Sequence, residues 1–268
     1  MIARIATSAL LAPVVIGLVW WHFIATTVLI VAVAAFTSFE ISRLVAGNQS
    51  TRQRLLAPIG AVLLVLLPAV SANERWWLGV LIGAVVLIGG PGWPVGIVTK
   101  LFSKSNQRFA DWALIVSAGG YSGALLCLVV VLRMGPNGIR WTLFALLVTW
   151  AYDSAAFAAG RTLGRHAFMA HISPRKTWEG VAGGTIASIL VTAAFLPILP
   201  IEGWQVVPLG LLWSAAAQTG DLVASMLKRD AGVKDSGTVI PGHGGMLDRV
   251  DAFLFVVPCV LVVASLIG

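Results

Sequence analysis

Most of the polar chemistry of this apolar chain lies between Gly220 and Asp251. Five aspartates occur there: Asp221, Asp230, Asp235, Asp248 and Asp251. The basic residues of the segment are Lys228, Arg229, Lys234 and Arg249, and its histidine is His243. An acid at the centre of a membrane helix costs about 2.5–3.5 kcal/mol on insertion scales, so each one needs a reason to be there. Acids and cations at this density indicate a site for a divalent cation and phosphate groups.

Helical spacing groups some of these acids. Asp221 and Ser225 are four residues apart, and Asp248 and Asp251 are three apart, so each pair shares one face of its helix. Two such helices facing each other would present three carboxylates and a hydroxyl to one cavity. These oxygen ligands suit Mg²⁺, which leaves its other positions to water and phosphates. The sequence therefore predicts that these four residues bind Mg²⁺, with a second cation open. The alternative is structural pairing of Asp251 with Arg249 or Lys228.

A loop of phosphate-binding character separates the two groups of acids. The basic side chains that can neutralise phosphate oxygens are Lys228, Arg229 and Lys234. The glycines that expose backbone N–H groups are Gly242, Gly244 and Gly245. His243 is either a phosphate or metal contact or a hydrogen-bonded structural residue.

Residues 160–180 form a second loop of similar composition. Its candidate phosphate-binding side chains are Ser173, Arg175, Lys176 and Thr177. A loop of retained positive charge would look much the same. Asp153 and Glu179 bracket the loop where the chain enters the membrane, which favours a role in binding.

Composition places the whole chain in a membrane. It has 268 residues, of which 58% are hydrophobic and 11% charged, with a mean hydropathy of +0.92. We predict an all-α polytopic protein with about nine transmembrane helices. They lie roughly at residues 5–20, 22–42, 55–70, 76–90, 110–132, 141–160, 179–199, 205–227 and 249–267.

The basic residues predict the orientation. With nine spans, fifteen of the 18 lysines and arginines fall on one face, which identifies that face as cytoplasmic and places the N-terminus there. The C-terminus then faces outward. The net charge of +7 is spread over short loops, so anionic lipids and phosphate substrates are expected partners and nucleic acid is not.

The two halves of the chain differ in charge. Residues 1–140 contain only three acids, Glu40, Glu74 and Asp111, and we expect this part to be scaffold and lipid contact. Residues 141–268 carry the catalytic candidates. Because no soluble domain is evident, both parts should form one integrated membrane domain.

Residues 225–251, SMLKRDAGVKDSGTVIPGHGGMLDRVD, combine S-x-x-K-R, K-D, P-G-H-G-G and D-R-x-D elements. This order resembles the signature of the phosphatidate cytidylyltransferases, also called CDP-diacylglycerol synthases. Gly220 and Asp221, the ISPRKTWEG stretch and the segment from Asp153 to Arg165 also resemble family elements in the right order. The resemblance implies an Mg²⁺-dependent reaction of CTP with phosphatidate that yields CDP-diacylglycerol and pyrophosphate.

The resemblance also implies roles for residues. Asp221 and Asp248 match the family's metal-binding acids, with Asp251 and Ser225 supporting them. Residues expected to act in catalysis are Asp221, Lys228, Arg229, Lys234, Asp235, His243, Asp248, Arg249 and Asp251. Residues expected to bind substrate are Asp153, Ser173, Arg175, Lys176, Thr177, Glu179, Ser225, Gly242, Gly244 and Gly245. We expect the protein in the plasma (inner) membrane with its active site facing the cytoplasm, and a homodimer is open.

Other functions remain to be separated from this one. A polyprenol kinase, or a cytidylyltransferase for a different lipid phosphate, would use CTP in a similar architecture. A transporter would use Asp153 and Asp221 as ion sites. ATPase and zinc-peptidase functions lose support, because the sequence contains no GxxxxGK[ST], GxGxxG or HExxH motif.

Overall fold

A computed structural model describes residues 2–45, 54–70, 107–237 and 244–267 of the chain. Within these ranges there are eight α-helices and one 3₁₀ helix, Gly203–Gln205, and no β-strand. The helices are α1 (Ile2–Trp21), α2 (Phe23–Val45), α3 (Leu56–Val70), α4 (Gln107–Met134), α5 (Gly138–Thr162), α6 (Trp178–Ala194), α7 (Val206–Asp230) and α8 (Leu247–Ile267). The predicted all-α class is confirmed.

Eight of the nine predicted segments coincide with these helices, and the remaining one, residues 76–90, lies outside the described residues. The largest difference is in α6, which ends at Ala194 although the predicted segment runs to residue 199. Pro197 lies just beyond this end, and its ring removes the N–H that the next helical turn would need.

Four helical segments in the described part of the chain are long and apolar enough to cross a membrane. They are Phe23–Val45, Leu114–Met134, Gly138–Thr162 and Leu247–Ile267. The chain is therefore an all-helical membrane protein. The full set of nine spans and the orientation of the N-terminus stay predictions.

Hydroxyl groups within these apolar helices are hydrogen-bonded by the helices themselves. Ser122 donates to the carbonyl of Ala118 at 2.9 Å, and Thr149 donates to that of Ala145 at 2.8 Å. Thr142 is bonded to its own helix in the same way. Such bonds to the preceding turn satisfy a buried hydroxyl without a partner from another helix. Polar residues at these positions therefore need no functional explanation.

The chain divides into two compact units, one formed by Met1–Val131 with Ala231–Arg249 and the other by Leu132–Asp230 with Val250–Gly268. In the first unit, α1 packs on α2 and α2 packs on α3. Helices α3 and α4 also approach closely, because a Cβ at Gly123 would lie 2.7 Å from the Cα of Ala61. Residues 231–249, which contain Asp248, thus belong to the same unit as the N-terminal helices.

In the second unit, α6 lies between α5 and α7 and packs on both. The approach of α5 to α6 depends on small residues, since a Cβ at Gly183 would lie 2.5 Å from the Cβ of Ala159. Aromatic rings also pack within the unit: Phe144 makes edge contacts with Trp213 and Phe195 at 5.8 and 5.2 Å between ring centroids. The unit therefore gives α5, α6 and α7 fixed relative positions.

Replacing Gly184 with alanine should destabilise the packing of α5 on α6, because its Cβ would lie 2.6 Å from two ring carbons of Tyr152. Overpacking of this kind costs about 1–3 kcal/mol. The midpoint of thermal unfolding in detergent measures the effect. Gly120→Ala is the matched control, since a Cβ at Gly120 meets no atom within 4 Å. Equal midpoints for the two variants would contradict this packing.

Candidate functional site

The loop between α5 and α6 is folded by its own backbone. The N–H of Phe168 donates to the carbonyl of Lys176 at 2.7 Å, and that of Trp178 donates to His166 at 2.9 Å. The rings of Phe168 and Trp178 pack edge to face with centroids 4.6 Å apart. The loop therefore doubles back on itself and holds Lys176 in a defined place.

This loop contacts α7 at two points within the second unit. The ammonium of Lys176 lies 2.8 Å from Oδ2 of Asp221, and the two side chains are 16% and 35% exposed. Further along α7, Nε of Arg229 donates to the carbonyl of Ile172 at 3.3 Å. The structure thus brings together Lys176, which the sequence assigned to substrate binding in a loop, and Asp221, which it assigned to the metal in a span.

Asp221 also belongs to a group of acids. The charges of Asp221 and Asp153 repel that of Asp251, while Lys228 attracts it. The start of α8 lies against α7 here, because a Cβ at Gly220 would lie 3.0 Å from the Cα of Ala252. Asp153, Asp221 and Lys228 are therefore close enough to Asp251 for their charges to act on it. The grouping of Asp221, Asp248 and Asp251 and the ion pairing of Asp251 stay predictions.

These residues fit a divalent cation. Asp221 and Asp251 repel each other, and Ser225 donates a long hydrogen bond of 3.4 Å to Oδ1 of Asp221. A cation between two such carboxylates would relieve the repulsion, and Mg²⁺ takes one or two carboxylates with water and phosphates completing its shell. In the part of the chain that the structure describes, no group of three or more His, Cys, Asp or Glu side chains is arranged to hold a metal ion. The carboxylates of Asp221 and Asp251 are therefore the candidate protein ligands.

Asp248 lies in the first unit and organises its own loop. Its Oδ2 accepts hydrogen bonds from the N–H of Ser236 at 3.0 Å, from the Ser236 hydroxyl at 3.1 Å and from the N–H of Gly245 at 3.0 Å. Gly244 has a φ of 78°, a left-handed conformation that glycine adopts without strain. Two other predicted residues of the glycine-rich stretch, Gly242 and His243, lie outside the described residues.

A buried acid of this unit was not among the predicted site residues. Glu40 on α2 is 1% exposed and accepts hydrogen bonds from Ser236, Met246 and Leu247. Glu40 lies in an apolar helix of the half that was expected to be scaffold, and the sequence there does not indicate these hydrogen-bond partners.

Two predicted substrate-binding residues have local structural roles. Thr177 is the N-cap of α6 and accepts a hydrogen bond from the N–H of Gly180 at 3.2 Å. Glu179, in the first turn of α6 and outside the four candidate spans, lies 2.6 Å from Nδ1 of His166. Binding roles for these two residues stay predictions.

Several other predicted residues lie at the surface. Exposed side chains belong to Asp153, Arg175, Arg229, Lys234, Asp235 and Arg249. Ser173 and Lys228 are half-buried. Exposed cations of this kind are available to an anionic ligand, and their assignment stays a prediction.

A further polar pair was also missed. The hydroxyl of Tyr152 donates to Oε1 of Gln218 at 2.5 Å, which fixes the orientation of that amide. Gln218 lies three residues before Asp221 on α7, so the two share a face. Nε2 of Gln218 is buried and has no hydrogen-bond partner in the described ranges. The signal in the sequence was a glutamine one turn before an intramembrane acid.

Comparison with known proteins gives matches along nearly the whole chain. The profile of the cytidylyltransferase family matches residues 2–267. A Bacillus subtilis protein named phosphatidate cytidylyltransferase is 33% identical over 264 residues, or 95% of this chain and 94% of that protein. Proteins of the same name from Staphylococcus saprophyticus and Staphylococcus aureus are 39% and 38% identical over 160 residues. These two alignments span 59% of this chain and 61% of each staphylococcal protein.

The ion pair between Lys176 and Asp221 should contribute to stability in a way that a double-mutant cycle can measure. We expect Lys176→Met and Asp221→Asn to couple by about 1 kcal/mol in the free energy of unfolding, because the pair is partly shielded from solvent. Arg175→Met replaces Lys176→Met in the control cycle, since Arg175 is adjacent in sequence but exposed. Similar coupling in the two cycles would argue against a specific pair.

Proposed function

Because the chain belongs to the cytidylyltransferase family, we propose that it transfers a cytidylyl group from CTP to phosphatidate. The products would be CDP-diacylglycerol and pyrophosphate, which serve phospholipid biosynthesis. The observation that carries the proposal is the 33% identity to the Bacillus subtilis protein named phosphatidate cytidylyltransferase over 95% of this chain. The Lys176–Asp221 pair and the neighbouring acids support it, since they suit a phosphate and a cation.

The reaction makes limited demands on acid–base chemistry. Phosphatidate is a phosphate monoester with a second pKa of about 6, so its dianion dominates at neutral pH. An oxygen of this dianion forms the new bond to the α-phosphorus of CTP, and the bond from that phosphorus to the β-bridging oxygen breaks. Pyrophosphate leaves with the electron pair. The main task of the protein is to hold two mutually repelling polyanions in line.

The basic residues of the second unit perform this task in our proposal. Lys176 and Lys228 lie beside the acids of the site and would neutralise phosphate charge, with Arg229 nearby on α7. Gln218 would add a neutral donor, because its amide is oriented by Tyr152. Lys234, on the exposed loop of the first unit, is proposed to neutralise the triphosphate or the departing pyrophosphate.

Asp221 and Asp251 would hold Mg²⁺, with Ser225 supporting Asp221. When bound, Mg²⁺ would neutralise charge on the phosphates and on the leaving pyrophosphate. We propose separately that Asp248 also binds a metal ion, as the sequence predicts. The number of cations, one or two, is left open.

We further propose nine spans, a cytoplasmic N-terminus and a location in the plasma membrane with the site facing the cytoplasm. Residues 1–140 would serve as scaffold and lipid contact, and residues 141–268 would carry catalysis. A homodimer is compatible with this arrangement.

Asp221→Asn and Asp248→Asn should each lower turnover by about 100-fold or more while leaving a folded protein, since each removes a charge from a proposed metal ligand. Transfer of label from radioactive CTP to the lipid phase, with phosphatidate and Mg²⁺ supplied to purified protein in detergent, measures this. Asp230→Asn is the matched control, because Asp230 lies in the same segment and is not assigned to the site. Near-normal turnover in Asp221→Asn or Asp248→Asn would refute the role given to that acid.

Removal of divalent cations by a chelator should abolish turnover, and added Mg²⁺ should restore it. Product analysis in the same assay separates the rival functions. Pyrophosphate with a CDP-lipid supports the proposal, whereas CDP with a phosphorylated lipid indicates a kinase. Ion flux in sealed vesicles without consumption of CTP would indicate a transporter.

The proposed orientation predicts the location of each terminus. A fluorescent protein fused to the N-terminus should fluoresce in the cytoplasm, and a phosphatase fused to the C-terminus should be active outside, because nine spans place the termini on opposite sides. A fluorescent N-terminal fusion together with an inactive C-terminal phosphatase would place both termini in the cytoplasm and would refute an odd number of spans.

A further inference from the structure

Glu40 is a buried carboxylate that lies far in sequence from the residues assigned to the site. It occupies the C-terminal part of α2 and is 1% exposed. Its Oε1 accepts a hydrogen bond from the N–H of Met246 at 2.8 Å. Its Oε2 accepts from the N–H of Leu247 at 2.9 Å and from the hydroxyl of Ser236 at 2.7 Å. Three donors thus stabilise a charge that would otherwise be costly to bury.

Two of these donors belong to the start of α8. The first N–H groups of a helix have no acceptor within the helix, and a side chain immediately before the helix usually supplies one. Here Glu40 supplies it to Met246 and Leu247 from 206 and 207 residues away. A negative charge at this end is also favoured by the helix dipole. Glu40 therefore fixes the place where α8 begins.

The loop is shaped to admit this carboxylate. A Cβ at Gly237 would lie 2.7 Å from Oε1 of Glu40. A Cβ at Gly245 would overlap Oε2 of Glu40 and the hydroxyl oxygen of Ser236. Glycine at both positions lets the two ends of the loop close around Glu40.

Ser236 connects Glu40 to Asp248. The Ser236 hydroxyl is buried and lies 2.7 Å from Oε2 of Glu40 and 3.1 Å from Oδ2 of Asp248. A hydroxyl carries one proton, so it can serve the two carboxylates only in alternation or by sharing. The position of Asp248 is therefore coupled to that of Glu40 through a single side chain.

We propose that Glu40 is a positioning residue that holds Asp248 and the start of α8 in the arrangement needed for turnover. The inference rests on the proposed function. Glu40 acts through Ser236, Met246 and Leu247, so a residue of the N-terminal scaffold positions part of the catalytic region.

The test is Glu40→Gln, which keeps the size of the side chain and replaces one acceptor oxygen with an NH₂ group. That group would face donors, so at least one bond to the loop must break. Hydrogen exchange should become faster in peptides that cover residues 244–249, measured without substrate or metal. In the lipid-labelling assay, kcat should fall by about 10–100-fold with KM for both substrates little changed.

Thr37→Val is the matched control. Thr37 lies one turn earlier on α2, is fully buried, and its hydroxyl has no hydrogen-bond partner among the described residues. This variant should keep both the exchange rate of residues 244–249 and kcat. A fall in kcat as large as that of Glu40→Gln would attribute the effect to general damage to α2 and would overturn the inference.

Ser236→Ala tests the connection itself. It should lower kcat in the same direction, and the double variant with Glu40→Gln should lose less than the product of the two single losses, because both act in one network. Independent losses would overturn the proposed coupling. A wild type that makes no CDP-diacylglycerol would refute the proposed function, whereas equal kcat in an active wild type and Glu40→Gln would refute this inference alone.

Discussion

An ionised side chain inside an apolar helical protein is stable only when a counter-charge or several hydrogen-bond donors compensate it. Both units of this chain follow that constraint at their polar positions. Asp221 is compensated by Lys176 at 2.8 Å, and Glu40 is compensated by three donors from the loop that it anchors. The polar contacts thus determine the conformation of the segments that carry the candidate chemistry, while the apolar helices determine where those segments emerge.

The helices could be predicted from the sequence because long apolar runs have few alternatives in a membrane. The ends of the helices were harder to predict where apolar residues continue past the point at which the helix stops. One helix ends at Ala194, before Pro197, although the predicted segment continued to residue 199. The close packing of α5 on α6 depends on Gly183 and Gly184, since small residues permit close approach. The grouping of residues 231–249 with the N-terminal helices was not predictable, because no local pattern encodes a contact between distant segments.

The candidate site shows the same limit. The types and spacing of Asp221, Ser225 and Asp251 were sufficient to make them candidates, since acids in apolar helices are rare. The partner of Asp221 could not be identified from the sequence. Lys176 lies in a loop far along the chain, and other cations lie close to it in sequence, so the pair is evident only in the fold. Glu40 also lies in a predicted span, residues 22–42, so the rarity of such acids applied to it as well. Its partners could not be identified, because its donors are mostly backbone N–H groups, which every residue has.

The Lys176–Asp221 pair has a thermodynamic consequence for any ligand that engages either residue. The pair is electrically neutral, so an anion that takes over Lys176 leaves the charge of Asp221 uncompensated. A cation that takes over Asp221 leaves Lys176 uncompensated in the same way. Each event lowers the cost of the other, and linkage requires this mutual effect to be equal in both directions. The pair therefore favours an anion and a cation that arrive together, as a single neutral salt, over either ion alone.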